Sequence, residues 1–121
     1  MSDRKQIAVI DDESDIMLLF SGALIAEGFH AIGFDNPVAA VEYIKANHEE
    51  FRLAITDWKM PGMNGFEFTK IISDVDDEII VMLMSGYDLK EYQLKQANID
   101  HYLKKPMHIT NLIDSVKREL R

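Results

Sequence analysis

The chain has 121 residues, 47% of them hydrophobic, and a formal net charge of −8; this suffices for the core of one domain over 1–121 and argues against direct nucleic-acid binding, which needs a basic footprint. It contains no cysteine, which excludes disulfides, thiolate catalysis and thiolate metal sites. No run reaches the roughly 18 apolar residues of a membrane span, and Met1-Ser2-Asp3-Arg4-Lys5 leads into a strand with no signal-type apolar segment, so the expectation is a cytoplasmic protein without membrane insertion.

Lys5–Ile10 reads as the first strand, with Ile7–Ile10 a continuous apolar run, and it ends at the acidic pair Asp11-Asp12. Ser14 is the expected cap of a first helix whose Ile16, Phe20, Ala23 and Leu24 share a face and which Gly28 ends. Ala31–Phe34 is a second strand; Asn36 before Pro37 reads as N-cap and N1 of a helix carrying Val41 and Ile44. Leu53–Thr56 is a third strand and delivers Asp57 at its end. In the loop that follows, Pro61-Gly62 suits a type II turn, and Gly65 suits a conformation that other residues avoid. Phe68, Ile71, Ile72 and Val75 mark one face of a third helix, and Asp74–Glu78 reads as a solvated loop.

Glu78–Met84 is a fourth, largely apolar strand that leads to Ser85-Gly86. Leu89–Gln96 is helix by position but only weakly amphipathic, so it should be loosely held. His101–Lys104 is a fifth strand leading to Lys105-Pro106, and Ile109, Leu112, Ile113, Val116 and Leu120 line one face of the last helix. The methionines read as core fillers. His30, His48, His101 and His108 read as surface or loop residues without a role.

Repeated strand–helix alternation predicts an α/β fold, a three-layer flavodoxin-like (βα)5 sandwich with right-handed crossovers. Continuous apolar strands suit a parallel sheet buried on both faces. The acidic pair and Asp57 must meet, so the five strands should run in the order 2-1-3-4-5, which makes the first and third neighbours. All carboxyl ends of such a sheet face one edge, where three carboxylates and the Lys105 ammonium would converge. That combination points to a metal and phosphate site.

Clustered carboxylates repel one another and raise a pKa unless a cation intervenes. Mg²⁺ fits best, because it takes one or two carboxylates and leaves positions for phosphate and water. Asp12, Asp57 and a backbone carbonyl just after Asp57 are the expected ligands. Four scattered histidines and no cysteine argue against zinc. Asp57 is the candidate nucleophile, since carboxylates accept phosphoryl groups as aspartyl-phosphates. Lys105 would neutralise charge during transfer, and Ser85 would place a hydroxyl at the same edge. Lys59 and Tyr87 read equally as residues that line the phosphate entrance and set the lifetime of the acyl phosphate, or as plain loop residues.

These motifs together resemble the receiver domain of two-component response regulators: Asp11-Asp12, Asp57 with Met60-Pro61-Gly62-Met63-Asn64-Gly65, Ser85-Gly86, and Tyr102-Leu103-Lys104-Lys105-Pro106. The resemblance spans essentially the whole chain. It implies that Asp57 accepts a phosphoryl group from a histidine kinase or histidine phosphotransfer protein and that a downstream effector protein or domain reads the result. It also implies that Asp12 ligates Mg²⁺ directly, Asp11 through water, and Lys59 through its backbone carbonyl. Ser85 and Tyr102 resemble the switch pair, and Lys105 the phosphate-contacting lysine. The chain departs from the family pattern at Asn98-Ile99-Asp100, Met107 and Ser115. Ser115 stands where the DNA-binding branch carries the Arg used in its dimer, whereas Asp100 and Arg118 leave room for another charge pairing. A monomer or a weak phosphorylation-dependent dimer is therefore expected. Three other readings compete. An aspartate-nucleophile phosphatase would need an acid two positions after Asp57, where Lys59 stands. A receiver-like module that binds partners without phosphorylation would have no use for an intact acidic set. An FMN module would need a cradle to replace the repelling Asp11-Asp12-Glu13 turn.

Overall fold

Ile7, Ala8, Val9 and Ile10 alternate sides along one strand, and every one of them is buried. Ala8 and Ile10 face a cluster with Ala40, Ile44, Phe51, Phe68 and Ile72, while Ile7 and Val9 face one with Phe20, Leu24, Ile55, Leu112 and Val116. A sheet between two helical layers needs this uniform apolarity, and it explains why the strand lacks the alternation of a one-sided sheet. A computed structural model of the chain describes residues 3–96, 99 and 101–120. Its elements are β1 (Gln6–Ile10), α1 (Ser14–Ala26), β2 (His30–Phe34), α2 (Pro37–Asn47), a 3-10 turn (His48–Glu50), β3 (Phe51–Asp57), α3 (Gly65–Val75), β4 (Ile80–Ser85), α4 (Glu91–Gln96), β5 (His101–Lys104) and α5 (Ile109–Glu119).

The strands are all parallel in the order β2-β1-β3-β4-β5, as the alternation and the acidic residues require. Helices α2 and α3 cover one face, and α1 and α5 the other. The register places the chemistry. Ile10 pairs with Thr56, so Asp11 and Asp57 leave the sheet at one level, and Ser85 pairs with Lys104, directly before Lys105. Among the described residues no helix is long and apolar enough to cross a membrane.

Asn36 caps α2 through bonds from the N–H groups of Val38 and Ala39, with Pro37 at N1. A capping box between Asn64 and Glu67 starts α3. Gly62 has φ +80°, as the second central residue of a type II turn requires. Three expectations are corrected. Ser14 is the first residue of α1, not its cap; Glu13 holds that position, and the Ser14 hydroxyl bonds Asp35 instead. Gly65 does not need an unusual backbone. It needs space, because a Cβ there would lie 2.9 Å from the Asp57 carbonyl oxygen and 2.5 Å from Leu83 Cδ1.

Asp76, assigned by sequence to a solvated loop, is largely buried: its Oδ2 takes Arg4 Nη1 at 2.9 Å and His48 Nδ1 at 2.7 Å, and its Oδ1 takes the Glu78 N–H. Burial pushes the Asp76 carboxyl up, but the bonds from His48, Arg4 and Glu78 outweigh it and hold the group below the usual range. The cluster ties the chain before β1 to the turn before β3 and the loop before β4. His101 likewise has a partner, Glu119, at 2.7 Å. Asn98 and Asp100, singled out in the sequence, lie outside the described residues.

Candidate functional site

At the carboxyl edge, β1 and β3 end side by side and each presents a carboxylate. Asp11 is wholly buried, and its carboxylate serves two purposes. Oδ1 accepts the Glu13 N–H at 3.0 Å, closing the turn into α1, and Oδ2 lies 3.2 Å from Lys105 Nζ. Asp57, the last residue of β3, accepts the Trp58 N–H on Oδ1 at 3.0 Å and meets Lys105 Nζ at 3.2 Å. Asp12 is exposed beside them, and carboxylate oxygens of Asp11, Asp12 and Asp57 lie within 4.8 Å of one another. One lysine thus pairs with two members of a cluster of three carboxylates.

The electrostatics follow from that imbalance. Burial pushes the Asp57 carboxyl above its ordinary value and Asp11 adds to the rise, while Lys105 opposes both. For Lys105, burial favours the neutral amine, but Asp57 and Asp11 outweigh it and hold the ammonium charged well into the alkaline range. A second cation would relieve the residual negative charge. The donors are all carboxylate oxygens, which suits a hard divalent ion such as Mg²⁺ rather than a softer metal.

A cleft of about 470 Å³ opens over these groups, lined among others by Asp12, Asp57, Lys59, Ser85, Tyr87 and Lys105. Ser85 ends β4 in a buried position, and its Oγ accepts the Tyr87 N–H at 2.9 Å. Tyr102, on β5, lies outside the cleft lining; its hydroxyl donates to the Tyr87 carbonyl at 2.6 Å. The Lys59 ammonium donates to the Tyr87 phenol oxygen at 3.1 Å, and Trp58 stands between Phe66 and Tyr87 with ring centroids 6.0 Å and 5.0 Å away. The loop from Trp58 to Gly65 closes on itself through the Gly65 N–H, which donates to the Trp58 carbonyl at 2.6 Å.

The structure therefore puts Lys105 in contact with Asp11 and Asp57, groups Asp12 with those two carboxylates, sets Ser85 and Lys59 on the same cleft, and connects Tyr102 to it through the Tyr87 carbonyl and, at 3.5 Å, the Ser85 carbonyl. Glu13 was read in the sequence only as a charge in the acidic turn, not as the residue that closes it. Its N–H completes the Asp11 turn, and the only hint was an acidic residue two positions after another.

A family model described as the response regulator receiver domain matches residues 7–117. CpdR, a response regulator receiver protein of Brucella abortus, is 27% identical over 121 residues, covering 96% of this chain and 97% of that one. The putative two-component response regulator ARR21 of Arabidopsis thaliana is 30% identical over 106 residues, and there the chain spans 17% of the relative's length. Among solved structures, the response regulator TrrA of Thermotoga maritima, in complex with Mg(2+)-BeF, superposes with a TM-score of 0.81 at 28% identity, covering 95% of this chain and 98% of that one.

Proposed function

The chain belongs to the response regulator receiver domain family, and from that membership we propose that it acts as a phosphorylation-dependent switch with Asp57 as the phosphoacceptor. One observation carries the reading: Lys105 Nζ lies 3.2 Å from both Asp11 and Asp57, two members of a cluster of three carboxylates that suits a divalent ion. In the proposed step an Asp57 carboxylate oxygen attacks the phosphorus of a phosphohistidine. The new O–P bond forms as the P–N bond breaks, and the leaving imidazole keeps the electron pair. Mg²⁺, when bound, would neutralise the phosphoryl oxygens. Asp12, Asp57 and the Lys59 backbone carbonyl would hold it directly, and Asp11 through water.

Lys105 supplies a fixed positive charge to the transferring group, and catalysis of this kind is mostly positioning and neutralisation. It is already charged and already beside Asp57, so little reorganisation is needed. Ser85, buried at the rim of the cleft, would then donate to a phosphoryl oxygen, and Tyr102 would move inward. The surface around α4, β5 and α5 would change for a partner to read. The donor would be a histidine kinase or phosphotransfer protein, and the reader an effector protein or domain; the chain over 1–121 would act as one cytoplasmic receiver domain, monomeric or weakly dimeric when phosphorylated. TrrA, a relative solved with Mg(2+)-BeF, supports the metal and phosphoryl parts of the reading. Incubation with acetyl phosphate and Mg²⁺, followed by intact mass spectrometry, tests it. One hydroxylamine-labile phosphoryl group, absent in Asp57→Asn, is expected. A stable adduct on a serine or histidine would refute the assignment.

A further inference from the structure

The carbonyl proposed to meet Mg²⁺ belongs to Lys59, an exposed loop residue between two fixed ones. On one side, the Trp58 N–H donates to the Met84 carbonyl at 2.8 Å as well as to Asp57, and the Trp58 carbonyl accepts the Gly65 N–H at 2.6 Å. On the other, Met60 is buried in the cluster that holds Phe68 and Ile72. The direction of the Lys59 carbonyl therefore follows from where Trp58 and Met60 sit. Trp58 is held in part by the first residue of α3.

That hold depends on a missing side chain. A Cβ on Gly65 would lie 2.5 Å from Leu83 Cδ1, 2.9 Å from the Asp57 carbonyl oxygen and 3.0 Å from Trp58 Cα. Leu83 Cδ1 ends a flexible side chain and can turn aside. The other two atoms are main chain, at the end of β3 and the start of the loop. Carbon atoms pack at about 3.5–4.0 Å, so a side chain at position 65 would push Trp58 away by roughly 0.5 Å and lengthen its bond to the Gly65 N–H. Nothing else calls for glycine here: its φ is not positive, and glycine is a poor helix former.

Resting on the metal site described above, we propose that Gly65 is a positioning residue for that site: its bare backbone lets α3 close on Asp57 and Trp58, and this closure aims the Lys59 carbonyl at the ion. Mg²⁺ demands near-ideal octahedral geometry, whereas Ca²⁺ accepts a flexible one. A ligand carbonyl displaced by about half an ångström should therefore cost Mg²⁺ more than Ca²⁺.

Mg²⁺ and Ca²⁺ titrations, followed by Trp58 fluorescence and amide chemical shifts, test this in the wild type, Gly65→Ala, Leu83→Ala and the double variant. Gly65→Ala should weaken Mg²⁺ binding at least about 10-fold, as lost support of a metal ligand does, and Ca²⁺ binding at least about 3-fold less than that. Leu83→Ala alters core packing alone and should keep the wild-type Mg²⁺ affinity within about 2-fold. In its background Gly65→Ala should still weaken Mg²⁺, because the main-chain clash persists. A smaller Mg²⁺ loss in Gly65→Ala, an equal loss for both ions, or a matching loss in Leu83→Ala would overturn the inference while wild-type Mg²⁺ binding leaves the metal site standing. If Gly65→Ala does not fold, the double variant is compared with Leu83→Ala; loss of the fold in both overturns the inference, since Gly65 then serves the fold. A wild type without Mg²⁺-dependent changes would overturn the metal site itself.

Discussion

Asp57→Asn should stabilise the metal-free protein and abolish its response to Mg²⁺. At an effective dielectric near 20, Lys105 at 3.2 Å attracts the Asp57 charge by about 5 kcal/mol. Asp11 and Asp12, with oxygens within 4.8 Å, each repel it by about 3.5 kcal/mol before the exposure of Asp12 reduces its share. The charges nearly cancel, and burial of the carboxylate adds a cost, in line with the upward push on its pKa. An amide removes that cost, while Lys105 keeps Asp11 as partner. The expected gain without metal is on the order of 1–2 kcal/mol, or about 4–8 °C in Tm for a domain of this size. The sign with pH follows. A carboxyl with a raised folded pKa costs stability above its unfolded value, so the wild type gains stability relative to Asp57→Asn as pH falls through the raised value. Mg²⁺ at ten times its Kd should add about 1.4 kcal/mol to the wild type and almost nothing to the variant. Differential scanning fluorimetry in EDTA and in Mg²⁺, across pH, measures all three. A lower Tm for Asp57→Asn in EDTA, or equal Mg²⁺ shifts in the two proteins, would refute the reasoning.

Three further outcomes are expected. Lys105→Met should leave Asp11 and Asp57 without their shared cation, slow acetyl phosphate labelling by at least about tenfold, and lower metal-free stability by about 3–5 kcal/mol, as unpaired buried charges do; rates and unfolding midpoints read both. Asp76→Asn should cost about 1–3 kcal/mol at neutral pH. Because the folded pKa of Asp76 is depressed, its contribution is complete above about pH 4 and fades as pH falls through the folded value; urea unfolding at several pH values should find the gap between wild type and variant closing in acid, and a constant gap would count against the cluster. Asn36→Ala should destabilise the protein by about 1 kcal/mol through loss of the α2 cap, with labelling unchanged.

Much of this was legible because the decisive signals are local. Apolar runs such as Ile7–Ile10 state that both sheet faces are covered, and Asn36-Pro37 states a helix start within two residues. The carboxyl edge was legible because each key residue directly follows its strand. What escaped depends on partners distant in sequence. Arg52 made β3 look shorter than it is, since nothing local says that its guanidinium reaches the Leu120 carbonyl at 3.1 Å. Asp76 looked solvated because Arg4 and His48, its partners, come from other parts of the chain. Gly65 was read for its backbone freedom, whereas the packing of Leu83 and the Asp57 carbonyl sets its size. The place of Tyr87 between Lys59, Ser85 and Tyr102 arises only when three strand ends are side by side.

The most direct test of the switch is a comparison of amide chemical shifts with Mg²⁺ alone and with Mg²⁺ plus beryllofluoride. Binding at Asp57 should perturb Ser85, Tyr87 and Tyr102 and spread through α4, β5 and the facing side of α5, since one charge-assisted bond at Ser85 gives only about 1.5–3 kcal/mol and several contacts must move together. Changes confined to the loops around Asp11 and Asp57, with residues 87–105 unmoved, would contradict a switch that signals through this face.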